Sequence, residues 1–271
     1  MAMQPLETFP AALRSQIRGI FLDIDDTLTT DGRLTPEAYG ALGKLQAADL
    51  LVVPITGRPA GWCDHIARMW PVDGVVGENG AFYFRYDHDS RTFQKRFMAT
   101  EEERGEQRKK IDAVAAQVLS EIPGCALASD QSYRETDLAV DYCEDVGQLD
   151  EGAVDRIVAI MEGAGMTAKI SSIHVNGWFG TYDKLTMTRI MMKECFDLDL
   201  DAEGDRFVFV GDSPNDQPMF AFFANAVGVQ NLERFEDRLD TPPAYITHSP
   251  AGAGFLEVVE MLLSDAGPST V

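Results

Sequence analysis

The densest chemistry in the chain is the run Asp23-Ile24-Asp25-Asp26-Thr27-Leu28, which directly follows the apolar segment Gly19-Ile20-Phe21-Leu22. Two carboxylates two residues apart at a strand end project around one point while the intervening residue packs inward. Carboxylates gathered there repel one another unless something positive compensates them, and Mg²⁺ is the natural candidate for an all-oxygen set. A second acidic strand end, Gly211-Asp212-Ser213-Pro214-Asn215-Asp216, follows Phe207 to Val210. Either run alone reads as an acidic turn with helix N-caps. Together, at strand ends of one parallel sheet, they can meet at its upper edge.

Two further pieces suit phosphate. Thr56-Gly57-Arg58 ends the apolar segment Leu50 to Ile55, so the Thr56 hydroxyl and the Gly57 N–H can bind phosphate oxygens, with the Arg58 side chain beside them. Lys184 opens a later helical segment, where its ammonium can pair with phosphoryl oxygens and with the acidic cluster. Each alone reads more simply, Lys184 as a solvated helix residue and Thr56 as a strand-end hydroxyl.

The elements that must position these residues alternate. Buried strands end at Leu22, Ile55 and Val76, with helices from Pro36 (N-cap Thr35) and from about Pro59 to Met69 between them. That is the signature of a parallel sheet covered on both faces. From Phe82 the pattern changes to a hairpin turning at Asp87 to Ser90, then a charged helix from about Thr100 to Ser120. Strands Leu138–Cys143, Met166–Ile170 and His174–Phe179 follow, with a helix near Glu151 to Gly163. The parallel pattern resumes after Asp183, with helices Lys184–Phe196, Pro214–Ala224 and Gly254–Leu263 and strands Arg206–Val210, Ala226–Val229 and Ala244–Thr247. The expected architecture is α/β: a doubly wound, Rossmann-like parallel sheet from residues 1–84 and 182–271, with an inserted α+β unit at 85–181. The N-terminal fifteen or so residues and the tail from Gly267 are expected to be mobile.

Composition narrows the function. A formal net charge of −21 in 271 residues leaves no basic surface for nucleic acid, so an anionic substrate would need a local positive field, such as a divalent cation with a few basic side chains. No apolar run approaches the length of a membrane helix, and Met1 to Arg18 lacks a secretory pattern; a cytoplasmic protein with no membrane partner is expected. The four cysteines, Cys63, Cys125, Cys143 and Cys195, form no C-x-x-C pair, and with four dispersed histidines they do not suggest zinc.

The order D-x-D-x-T-L, strand-ending T-G-R, lone lysine, then G-D-x-x-N-D resembles the four motifs of the haloacid dehalogenase superfamily, over nearly the whole chain. Gly77-Glu78-Asn79-Gly80-Ala81 resembles the loop that leads into the large cap of its Cof-type (IIB) branch, which includes many sugar-phosphate phosphatases. Asp26 stands where many relatives carry glycine, and Leu185 follows Lys184 where glycine is common. The resemblance implies a Mg²⁺-dependent phosphatase acting on a small phosphorylated metabolite, a sugar phosphate above all. Asp23 would be the nucleophile that becomes phosphoaspartate, and Asp25 the acid and then base, kept protonated by repulsion from its carboxylate neighbours. Asp23, the Asp25 backbone carbonyl and Asp212 would hold Mg²⁺, with Asp216 behind them. Thr56, Gly57, Lys184, Arg58 and Asn215 would contact the phosphoryl group. A phosphomutase would share the motifs; a receiver-like regulatory domain would be shorter; a dehalogenase would need neither Asp25 nor Mg²⁺. The cap would set specificity, although Arg134, Ser171, Ser172, His174 and Asn176 each read as solvent-facing. The oligomeric state is not legible.

Overall fold

The computed structural model describes residues 3–264. Six strands form one wholly parallel sheet in the order Gln4–Pro5, Tyr245–Ile246, Ala226–Gly228, Phe207–Gly211, Gly19–Leu22, Leu51–Pro54. Alternate side chains of the central strands serve two cores. Ile20, Leu22, Val208 and Val210 pack with Leu42, Leu45, Phe255 and Val258 from helices Pro36–Ala47 and Ala251–Leu263. Phe21, Phe207 and Phe209 pack on the other face with Met187, Met191 and Met219, from helices Lys184–Phe196 and Gln217–Phe222. A sheet covered on both faces needs strands that are apolar at every position, which explains the unbroken hydrophobic runs in the sequence.

From Gly19–Leu22 the chain winds first toward Leu51–Pro54 and later, through Phe207–Gly211, toward the opposite edge. The order of the sheet therefore reverses between Gly19–Leu22 and Phe207–Gly211, and the two acidic runs leave from the C-terminal ends of these adjacent strands. A doubly wound sheet opens its binding crevice at such a switch point.

The inserted segment builds a four-stranded antiparallel sheet, in the order Ala126–Leu127, Asp137–Asp141, His174–Trp178, Thr167–Ile170. Helices Glu101–Glu121 and Glu151–Gly163 bury Leu138, Val140 and Val175 against one face. Period-two alternation turns Asp137, Asp141, His174 and Asn176 to the other face, and there they are buried, as are Arg134, Ser171 and Ser172. The expectation that these cap residues face solvent is therefore corrected. The boundary expected at residues 84 and 85 falls inside a hairpin of Phe82–Asp87 and Thr92–Phe97 that stays paired to Val75–Gly77. Phe82, Phe84, Phe93 and Phe97 of this hairpin pack on the core of the parallel domain.

The chain start is also corrected. Gln4–Pro5 pairs with Tyr245–Ile246, Leu6 and Phe9 are buried, and the Phe9 ring lies 5.0 Å from that of Tyr245. The tail from Gly267 lies outside the described residues. Among the described residues no helix is long and apolar enough to cross a membrane. If the chain start is an integral part of the core, Phe9→Ala should lower the unfolding free energy by roughly 3 kcal/mol. Equilibrium denaturation would measure this, and a change within error would mean that residues 3–9 only rest on the surface.

Candidate active site

Asp23 leaves its strand with its N–H bonded to the Val210 carbonyl at 2.9 Å, so the backbone ladder itself joins the two acidic runs. Asp23, Asp212 and Asp216 are all buried, and each brings one carboxylate oxygen within 4.8 Å of the others. Lys184 is buried among them: its Nζ lies 2.7 Å from Asp216 Oδ1 and 3.1 Å from Asp23 Oδ1. Asp183 caps the helix by accepting from the Thr186 N–H at 2.8 Å, which sets Lys184 at the first helical position. Gly80 makes this approach possible: its φ of +104° suits glycine, and a Cβ there would collide with the Asp183 backbone.

The carboxylates differ in what they have left to offer. Asp216 is committed, since its Oδ1 takes Lys184 and its Oδ2 accepts from the N–H groups of Asp212 and Ser213 at 3.1 and 3.3 Å. Asp212 accepts from the Thr27 hydroxyl at 3.3 Å and from Asn231 Nδ2 at 3.0 Å. The buried Asp23 Oδ1 has no hydrogen-bond partner, because Lys184 approaches outside hydrogen-bonding geometry. A hard cation coordinated by oxygens fits this set: one orphaned carboxylate oxygen, a second carboxylate beside it and a deficit of positive charge.

Burial pushes the Asp23 carboxyl up to about 7; Lys184 opposes this shift, and Asp216 and Asp25 add to it. Burial and the neighbouring Asp23 and Asp216 likewise hold Asp212 well above the ordinary carboxylate range. Burial would pull Lys184 down, but Asp216 and Asp23 outweigh it and keep the amine above its usual value.

Asp25 has a different neighbourhood from the one expected. The Arg58 guanidinium grips it through Nε at 2.9 Å to both oxygens and Nη2 at 2.8 Å, so its close partner is a cation. Arg58 also reaches two cap carboxylates, Asp130 through Nη1 at 3.1 Å and Glu144 through Nη2 at 2.6 Å. Desolvation works to raise the Glu144 carboxyl, but His174 and Arg58 dominate and lower it to about 2. Thr56 is buried, its Oγ1 accepting the Arg58 N–H at 3.0 Å. Asn215 Nδ2 donates to Asn79 Oδ1 at 3.0 Å, and Asn79 Nδ2 is buried without a partner.

All nine expected site residues thus gather around the ends of three adjacent strands, Leu51–Pro54, Gly19–Leu22 and Phe207–Gly211. A cavity of about 660 Å³ opens between the two sheets, lined in part by Asp25, Arg58, Tyr142, Glu144, Ser172 and Arg234. Sequence reading missed Asn231 and Arg234. They lie in the 3₁₀ segment Gln230–Arg238, where Asn231 holds Asp212 and the Asp26 carbonyl at 3.0 Å each and Arg234 lies 3.1 Å from Asp26 Oδ2. Asp26 itself adopts φ 53°, the left-handed backbone that glycine would take and aspartate tolerates. Asp130 and Glu144 were missed because each is one acid among many.

With this geometry in hand, residues 20–105 match the family of haloacid dehalogenase-like hydrolases. The chain is 28% identical over 248 residues to a phosphoglycolate phosphatase of Haloarcula marismortui, covering 89% of this chain and 95% of that one. Its fold is similar to the C-terminal domain of a C. albicans trehalose-6-phosphate phosphatase, with a TM-score of 0.71 at 13% identity over 97% of this chain and 99% of that one. It is also similar to the sucrose-phosphatase of Synechocystis, with a TM-score of 0.62 at 14% identity over 91% and 98%.

The buried acids set a pH dependence. A carboxyl whose folded value is raised contributes stability that is full below its unfolded value and lost as pH rises through the folded one. With Asp23 and Asp212 both raised, and the buried Glu78 pushed by desolvation to about 7, cation-free protein should lose stability on the order of several kcal/mol as pH rises from about 4 through about 7. Asp212→Asn should flatten that slope. Denaturant titrations in chelator across this range provide the measurement, and stability that rises with pH would contradict the assignment.

Proposed function

We propose that the chain, whose residues 20–105 match the haloacid dehalogenase-like hydrolases, is a Mg²⁺-dependent phosphatase of that family that hydrolyses a small phosphorylated metabolite through a phosphoaspartate on Asp23. The observation that carries this reading is the buried Asp23 carboxylate with an unpartnered oxygen, beside Asp212 and Lys184 at the switch point of the sheet. Asp23, the Asp25 backbone carbonyl and Asp212 would hold the cation. Asp216, its oxygens already taken by Lys184 and two N–H groups, supports the set from behind. Bound there, Mg²⁺ offsets the repulsion between the Asp23 carboxylate and an anionic phosphoryl group.

In the first step an Asp23 oxygen attacks phosphorus in line, the Asp23–phosphorus bond forms, and the bond to the leaving oxygen breaks. Asp25 delivers its proton to that oxygen. In the second step water attacks phosphorus, Asp25 takes the proton of the water, and Asp23 is released with inorganic phosphate. Thr56, the Gly57 N–H, Lys184 and Asn215 receive the phosphoryl oxygens. The Arg58–Asp25 bridge has to open before Asp25 can act as an acid, and the incoming phosphoryl oxygens are the anion that draws Arg58 away.

The leaving group occupies the cavity beneath the cap, whose volume suits a small-molecule ligand. The relative named for phosphoglycolate supports a small phosphate ester as substrate, and the polar wall together with the structural neighbours named for trehalose 6-phosphate and sucrose phosphate favours a sugar phosphate. The cap, from helix Glu101–Glu121 to strand His174–Trp178, then sets specificity.

The two acids separate experimentally. Asp23→Asn should fold and turn over nothing. Asp25→Asn should lose at least about 100-fold with a sugar phosphate, a typical contribution of general acid catalysis. With an activated aryl phosphate, whose leaving group needs no proton, it should give a burst of aryl alcohol and then slow turnover. First-turnover product release for both substrates is the readout. Equal losses without a burst would remove Asp25 from acid–base duty, and near-normal turnover by Asp23→Asn would sink the covalent mechanism.

A further inference from the structure

Arg134 lies in the cap, yet one of its hydrogen bonds ends in the other domain. Its side chain is wholly buried, with Nε and Nη2 on Asp130 Oδ1 at 3.2 and 3.1 Å and Nη1 on both oxygens of Asp137 at 3.0 and 3.1 Å. Two carboxylates are enough to neutralise a buried guanidinium. Nη1 nevertheless also donates to the Gly57 carbonyl, 77 residues away, at 2.8 Å. Asp130 doubles the tie, because its other oxygen accepts from Arg58 Nη1 at 3.1 Å.

The Gly57 carbonyl and the Arg58 N–H are the two ends of one planar peptide. Arg134 fixes one end, and the other donates to Thr56 Oγ1 at 3.0 Å. A hydroxyl that accepts on one lone pair keeps its own O–H to donate, and the accepted bond fixes where the oxygen stands. The chain of contacts therefore runs from Asp137 and Asp130 through Arg134 to the Gly57–Arg58 peptide and on to Thr56.

We infer that Arg134 is a positioning residue: through the Gly57–Arg58 peptide it holds the Thr56 hydroxyl in register to receive the phosphoryl group, so that the phosphate cradle is complete only with the cap seated. The inference rests on the reading of Thr56 as a phosphate ligand. Donors fixed before the substrate arrives bind charge more strongly than donors that must reorganise. A cap residue that never touches substrate thus tunes phosphate affinity in the core.

The test is a double-mutant cycle on the dissociation constant of inorganic phosphate, read by calorimetry with Mg²⁺ present and corrected for folded fraction. Arg134→Lys is the variant of choice, since it keeps the charge between Asp130 and Asp137 and loses the planar fork. Asp137→Asn, which loosens Arg134 in place, is the second. Thr56→Val should weaken phosphate binding about tenfold, the order expected for one charge-assisted hydrogen bond. Either cap variant alone should weaken it several-fold, and in the Thr56→Val background each should add less than about twofold. Effects that multiply as for independent sites, or cap variants with unchanged phosphate affinity, would overturn the inference and leave the cradle intact. An unchanged affinity in Thr56→Val would overturn the cradle reading, and the inference with it.

Discussion

Three buried carboxylates crowd together around one buried ammonium, which pairs with two of them, while Asp212 meets Arg234 Nη2 at 3.4 Å. Asp23, Asp212 and Asp216 crowd within 4.8 Å, and Lys184 is the buried amine set between Asp23 and Asp216. Burying charge costs several kcal/mol per ion unless it is compensated, on the order of what holds a whole domain folded. Much of the parallel domain exists to enforce this crowding. Adjacent strands leave the sheet at one edge, a glycine at position 80 lets the lysine helix press close, and another at 211 leaves room for the Asp216 carboxylate to fold back against the chain. The imbalance that results is a site shaped for a cation and for an anionic group bound to that cation. With a cation bound there, a protein of net charge −21 would acquire a local field of the opposite sign.

The second constraint joins the two sheets. The polar face of the cap sheet meets the strand-end loops through Arg58, Arg134 and the Glu78 carboxylate. Glu78 accepts from the N–H groups of Ala60 in the core and of Glu135 and Thr136 at the cap, at 2.9, 2.9 and 2.7 Å. Buried arginines and carboxylates of this kind add little net stability, because desolvation offsets their attraction. What they specify is geometry, and here that geometry fixes the peptide next to Thr56 and the side chain next to Asp25.

The parallel core was largely legible in the sequence, because strands covered on both faces are written as unbroken apolar runs and end at the residues that do chemistry. Helices Glu151–Gly163 and Lys184–Phe196 begin and end where the sequence reading sets them. The cap misled for a physical reason. Alternating polar and apolar residues in Asp137–Asp141 and His174–Trp178 state that one face is polar, and they do not state whether that face meets water or a second polar surface. For the same reason His174 and Asn176 read as solvent-facing; Arg134 sits in the turn before Asp137–Asp141 and carries no such alternation, and the cation beside Asp25 could not be foreseen from Asp25's own neighbours in the chain. Asn231 and Arg234 escaped because a 3₁₀ segment carries no periodic signal of its own. The chain start escaped because two residues of strand are too few to read.

We propose that the acidic cluster is a cation site in which burial favours the protonated forms of Asp23 and Asp212 until the cation arrives. Calorimetric titration of Mg²⁺ into chelated protein, in buffers of different ionisation enthalpy, measures both binding and the protons it displaces. One Mg²⁺ should bind per chain. Between about pH 6 and pH 8 binding should release protons, fewer as pH rises through the value of about 7 to which burial pushes Asp23, and Asp23→Asn and Asp212→Asn should each reduce the release. Absence of binding, or binding without proton release across that range, would contradict the account.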